Sequence, residues 1–249
     1  RRCTLGRETC LQRVKWVDGW LRLENGSHSP AVEIEEPRGH AEHPWPTVTE
    51  RDDFDDETLD PSWQSLRVPA DETWVSLTER PGWLRLRGRE SVHSWFEQSL
   101  LTKRVTAHRM TATTVLEFEP DHFTQMAGLV CWYNTANHYY LRVTLDEDRG
   151  KVVGVTLSDR GSYDELGDFS IEGWKQIHMK AEIDRDTVTF FISANGSDWR
   201  TAGPPLDFTK LSDDHAVGFT GAMVGVAVQD LADRCKTADF DYFELKANP

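Results

Sequence analysis

The octapeptide HYYLRVTL, His138 to Leu145, alternates strictly: Tyr139, Leu141, Val143 and Leu145 fall on one face and Tyr140, Arg142 and Thr144 on the other. Successive strand side chains point to opposite faces, so this is the pattern of a half-buried antiparallel strand. Period two recurs in LRLRG from Leu84, TATTVLEFE around Leu116, KVVGVTLS around Val153 and WKQIHMKAEI around Ile177. Almost nothing in the chain has the 3.6-residue period of an amphipathic helix. Many short strands at regular spacing predict an all-β antiparallel sandwich. VTFFISANGSDW, Val188 to Trp199, adds a hairpin signal, with Asn195-Gly196 expected to occupy the positive-φ positions of a two-residue type I′ turn.

The first part of the chain differs. LQRVKWVDGWLRL, Leu11 to Leu23, reads as two short strands around Asp18-Gly19, followed by the linker-like SHSPAVEIEEPRGHAEHPWP. This predicts a first segment over 1–37, a linker over 38–48 with the boundary near Pro46, and a main domain over 49–249 opened by Trp63 and Leu66. A lone hairpin is at best marginally stable in water, so it is expected to be the edge of a larger domain. A start at Arg1 rather than Met agrees with something upstream.

With 28 Lys and Arg against 42 Asp and Glu, the formal net charge is −14. Nucleic acid and anionic membranes are repelled by such a chain. No apolar run is long enough to span a bilayer, and RRCTLGRETC lacks a signal-peptide core. A cytoplasmic protein is expected. Cys3, Cys10, Cys131 and Cys235 are too few and scattered for a disulfide framework and lack zinc spacing. The sequons Asn25-Gly-Ser and Asn195-Gly-Ser read as turns, and His40-Ala-Glu-His43 as a surface pair. Asp146-Glu147-Asp148 and Asp213-Asp214 read as solvated turn residues. Asp53, Asp55, Asp239 and Asp241 offer oxygens for Ca²⁺ but serve equally as turn caps, so no metal site or cofactor is assigned.

Two aromatic pairs, Trp132-Tyr133 and Tyr139-Tyr140, raise the possibility of a sugar-stacking platform. Alternation, however, is expected to bury one member of each in a core. FTGAMVGVAVQD, Phe219 to Asp230, surrounds Met223 with small residues. Met223 either fills a gap in the core or points into a site.

Longer stretches then carry a resemblance. GRETCLQRVKW continuing through DGWLRL (Gly6 to Leu23), DDFDDETLDPSWQSLR (Asp52 to Arg67), ERPGWLRLRGRES (Glu79 to Ser91), LEFEP followed by QMAGLVCWYN (Leu116 to Asn134), LSDD and GFTGAMVG (Leu211 to Gly225) and ADFDYFEL (Ala238 to Leu245) occur in one order. In that order they resemble the β-xylosidases and arabinofuranosidases of glycoside hydrolase family 43. The resemblance implies a concanavalin-like, jelly-roll type antiparallel sandwich over 49–249, with residues 1–37 a remnant of the last blade of a five-bladed propeller. It also implies that the catalytic carboxylates of this inverting family lie on the propeller, upstream of the equivalent of Gly6. No catalytic residue is therefore assigned, and this chain alone is expected to hydrolyse nothing. In the family, the loop resembling FTGA-x-VG leans over the substrate pocket with an aromatic residue at x. Met223 is thereby implied as the substrate contact, supported by Phe219, Thr220, Gly221 and Ala222, with Phe219 anchoring the loop into the sandwich. The implied partners are the propeller domain, a xylo-oligosaccharide and further copies of the chain in a homo-oligomer. Xylosidase and arabinofuranosidase specificity both stay open, as does a free-standing lectin-like sandwich.

Overall fold

The computed structural model describes residues 3–7, 9–44 and 49–248. Two compact units divide the chain, Arg7–Val48 and Arg1–Gly6 with Thr49–Pro249. Residues 3–6, expected to belong to the first segment, thus run with the sandwich. Pro46, the expected boundary, lies outside the described residues.

In the smaller unit, the strands Val14–Val17 and Trp20–Leu23 pair antiparallel with Val17 opposite Trp20. Asp18 and Gly19 have φ of 51° and 78°, the two positive values that a type I′ turn demands and that Asp-Gly tolerates. The Gln12 amide clasps Ala31, donating to its carbonyl and accepting from its N–H. Trp16 and Trp20 are 73% and 70% exposed.

The larger unit is the expected antiparallel sandwich. One sheet of seven strands runs, edge to edge, Ser162–Ser170, Gly150–Asp159, Asn137–Asp146, Gln125–Asn134, Met223–Asp230, Ser99–Arg104 and Gln64–Ser65. The other, of nine strands, is centred on Ile177–Asp184, Arg109–Glu117 and Thr237–Ala247. Leu129, Leu141, Val153 and Val226 from the first meet Leu86, Leu116, Phe190 and Phe240 from the second in one core. Trp63 closes it, its ring 4.9 Å from that of Phe243 and its Nε1 donating to Asp52 Oδ2 at 2.8 Å. At one end, Asp239 accepts from Arg85 Nε at 2.7 Å and Arg80 Nη1 at 2.9 Å, so its oxygens serve arginines.

Two local expectations change. The strands Thr187–Ser193 and Arg200–Thr201 do form a hairpin, but pairing stops at Ile192 opposite Arg200, and only Gly196 of the Asn-Gly pair has positive φ. Ser193 Oγ accepts from the N–H groups of Asn195 and Gly196, and Asn195 Oδ1 from those of Ser197 and Asp198. Side-chain acceptors have replaced ladder bonds, which lengthens the loop. The Asn137–Asp146 strand is also not half-buried. Tyr140 and Arg142 are as deeply covered as Tyr139 and Leu141. The segment from Arg89 to Gln98 folds over the outer face of the sheet, pairing Arg89 with Gln229, and Val92 packs there with Val130, Trp132, Tyr140 and Ala227. Both members of Trp132-Tyr133 and Tyr139-Tyr140 are therefore buried, each pair split between the two cores.

Candidate functional site

Ser212 caps a single helical turn, Asp213–Ala216, its Oγ accepting from His215 N. The turn ends at Val217 with φ 57° and releases the chain into the loop 218–222. Arg104 Nη1 donates to Thr220 O at 2.5 Å and Gly218 N to Asp213 O at 3.1 Å, and three more hydrogen bonds fix Gly221 and Ala222. Asp213 Oδ1 accepts from Gly221 N at 2.9 Å, Thr4 O from Ala222 N at 2.7 Å, and Ala222 O from Val105 N at 3.1 Å. Gly221 has φ +71°, and a Cβ there would stand 2.5 Å from Gly6 N, so both conformation and space require glycine. A Cβ on Gly218 would stand 2.1 Å from the Tyr133 hydroxyl.

Asp213 is the residue that sequence reasoning misread. Expected in a solvated turn, it is 6% exposed and also accepts from Tyr133 Oη at 2.8 Å. Burial first, and then the Asp213 carboxylate, push the Tyr133 phenol above its ordinary range, which keeps it a donor. The loop is tied to a fixed point in the sandwich core through this pair. Phe219 is a correction of the opposite kind: it is 72% exposed and does not anchor the loop. The rigidity comes from Asp213, Thr4 and the glycine contact.

Met223 begins the Met223–Asp230 strand directly opposite Trp132 and Arg104. Ala222 and Val224 point into the main core, so Met223 points out of it. It is half-buried, packs against the outer cluster opposite Trp132, and accepts from Thr102 Oγ1 at 3.3 Å. Beside it opens a cleft of about 270 Å³ lined by Leu66, Arg67, Trp132, Asn134, Gly218 and Thr220, among others. Of the loop residues singled out from sequence, Thr220 lines the cleft, Gly221 and Ala222 fix the backbone, and Met223 stands opposite the lining residue Trp132.

The family model of the β-xylosidase C-terminal concanavalin A-like domain matches residues 51–246. The chain belongs to this family. A xylan 1,3-β-xylosidase of a Vibrio species is 38% identical over 96% of this chain and 45% of its own length. A non-reducing end α-L-arabinofuranosidase of Bacteroides ovatus is 31% identical over 97% of this chain and 45% of its own length. The crystal structure of a xylan β-1,4-xylosidase from Bacillus halodurans superposes with a TM-score of 0.94 at 44% identity, covering 99% of this chain and 48% of that one. The chain thus spans a little under half the length of these relatives. As a member of this family, the chain is a concanavalin-like sandwich, and its relatives carry both xylosidase and arabinofuranosidase names.

Proposed function

We propose that this chain serves as the sandwich portion of a family 43 glycoside hydrolase acting on xylo-oligosaccharides. In this role it packs on a propeller catalytic domain and completes the rim of the substrate pocket with the loop 218–222 and Met223. One observation carries the reading. The loop is fixed from within by Asp213 and the Gly221–Gly6 approach, yet it turns Phe219 outward and sets Met223 beside an open cleft. A rigid backbone presenting apolar side chains is what positioning against a sugar ring requires. The exposed Trp16 and Trp20 of the hairpin are, on this reading, a surface that the propeller covers. Homo-oligomerisation and a cytoplasmic location belong to the same proposal, the latter supported by four free cysteines.

Purified alone, the chain is expected to release neither xylose nor arabinose from aryl glycosides, and addition of the propeller to restore release. Turnover by the chain itself, abolished by changing one of its own carboxylates, overturns the assignment. In the complete enzyme, Met223→Phe is expected to lower KM for xylobiose, because a flat ring packs better on sugar C–H groups than a thioether does. If Met223 acts only in packing, the larger ring instead costs about 1–3 kcal/mol of stability and leaves KM unchanged. Steady-state kinetics and thermal melting on this variant separate the two results.

A further inference from the structure

A second hollow of about 270 Å³ opens on the outer face of the seven-stranded sheet and shares no lining residue with the cleft beside Met223. Tyr140 and Thr156, opposed on neighbouring strands, lie in it with Val92 and Met126, while His93 and Tyr163 flank it. The two flanking rings meet edge to face at 5.3 Å. His93 in turn meets His138 at 4.6 Å, and His138 stacks on Trp132 at 5.0 Å.

Three buried side-chain nitrogens on this face have no hydrogen-bond partner: His93 Nε2, His138 Nε2 and Arg142 Nε. Among the described residues, no other buried side-chain nitrogen is left so. Of the three, His93 lines the hollow and His138 lies behind it; folded proteins pair nearly all such groups, so the unpaired His93 nitrogen at its edge marks the hollow as one that a polar guest completes. The lining itself carries no Lys, Arg, Asp or Glu. Charges on the same face are already paired, with Arg142 bound to Asp168 at 2.7 Å and to Glu165 at 3.0 Å, and Glu165 also accepting from the Tyr163 hydroxyl at 2.5 Å. Neither an anion nor a cation finds a counter-charge. A neutral guest with hydroxyls on its edge and C–H groups on its face does find partners, and the volume suits one ring rather than an extended ligand.

We propose that this hollow binds a single neutral pyranose unit, with its C–H face on the Tyr163 ring and a hydroxyl paired to His93 Nε2. Tyr163 is 47% exposed, and His93 sits on the covering segment, so a small rotation of the imidazole presents its free nitrogen to the guest. The proposal rests on the preceding functional reading only for the choice of xylose sugars among the probes.

The chain has four methionines, and they report separately. Met126 lines the hollow, Met223 adjoins the loop cleft, and Met110 and Met179 lie in the main core. With ¹³C-methyl methionine, titration by xylose, xylobiose, glucose and galactose is expected to shift the Met126 signal saturably for at least one sugar. The dissociation constant should be millimolar, as befits a single exposed ring. The core signals should stay fixed, and Tyr163→Ala should abolish the shift. Glucuronate, as the anionic control, should bind at least tenfold more weakly than glucose. No Met126 response to any neutral sugar, or a response unaltered by Tyr163→Ala, overturns the proposal. So does equal binding of glucuronate. Movement of Met223 alone overturns it too while leaving the pocket-rim function standing.

Discussion

Asp213→Ala is expected to destabilise the sandwich by about 2–6 kcal/mol, although the residue belongs to an acidic pair in a surface turn. The reasoning is local. The carboxylate is buried and takes hydrogen bonds from two buried donors, Tyr133 Oη and Gly221 N. Removing the acceptor leaves both donors desolvated and unpaired, at about 1–3 kcal/mol each. Asp213→Asn keeps an acceptor oxygen and should lose about 1 kcal/mol, the difference between charged and neutral acceptors. Asp214→Ala is the control, because among the described residues its carboxylate accepts only the exposed Cys3 N–H, and it should stay within about 0.5 kcal/mol. In the complete enzyme, Asp213→Ala should also lower kcat/KM, by up to about a hundredfold if the loop moves by an ångström. Urea unfolding of the three variants decides the matter. Equal stability of Asp213→Ala and Asp214→Ala would show that the loop is held by its other contacts, to Thr4, Gly6, Arg104 and Val105, without the carboxylate.

That pair also marks where the sequence stops being legible. Alternation gave the strand segments and their inward faces because the period of a strand is a property of each segment by itself. Asp18-Gly19 gave a turn for the same reason: positive φ at both positions is a local demand. Asp213 and Asp214 share a turn and a charge, and only the chain returning at residues 3–6 and Tyr133 from a distant strand distinguish them. Phe219 shows the converse error. An aromatic residue before two small ones suggests an anchor, but the anchoring energy is supplied by a carboxylate and by the absence of a Cβ at Gly221. The burial of both faces of the Asn137–Asp146 strand was hidden for a related reason. Tyr140 and Arg142 look like a solvent-facing row until the Arg89–Gln98 segment is placed over Tyr140 and the carboxylates of Asp168 and Glu165 close on Arg142. The second hollow could not be read at all, since its residues come from separate strands and from that covering segment.

Acidification should weaken this sandwich well before its carboxylates titrate, and the covered outer face is the cause. His138 is fully buried between Trp132 and His93, its Nδ1 facing Asn134 O at 3.2 Å. Burial, and then charge on His93, hold its pKa down to about 3 from an ordinary 6.5. Burial lowers His93 and His178 as well. Above pH 6.5 the imidazole is neutral in both the folded and the unfolded chain and contributes no slope. Below it the unfolded chain takes up a proton that the folded chain refuses. Unfolding is therefore favoured by up to about 1.4 kcal/mol per pH unit for each such group, from pH 6.5 down toward 3. For His138 alone this amounts to about 2 kcal/mol between pH 7 and pH 5. The arginine-paired carboxylates act later: Asp239 has a pKa below its ordinary 3.8, so its contribution is lost only as pH falls under that value. Urea unfolding at pH 7 and pH 5 should show the loss, and His138→Gln should recover about 2 kcal/mol of it whatever its own stability at neutral pH. An unchanged difference between the two proteins across that range would mean that the His138 ring reaches water and that the Arg89–Gln98 segment covers it only loosely. A neutral imidazole, by contrast, keeps its Nε2 lone pair as an acceptor at physiological pH, which preserves the polar layer behind His93 in the form that a hydroxyl can meet.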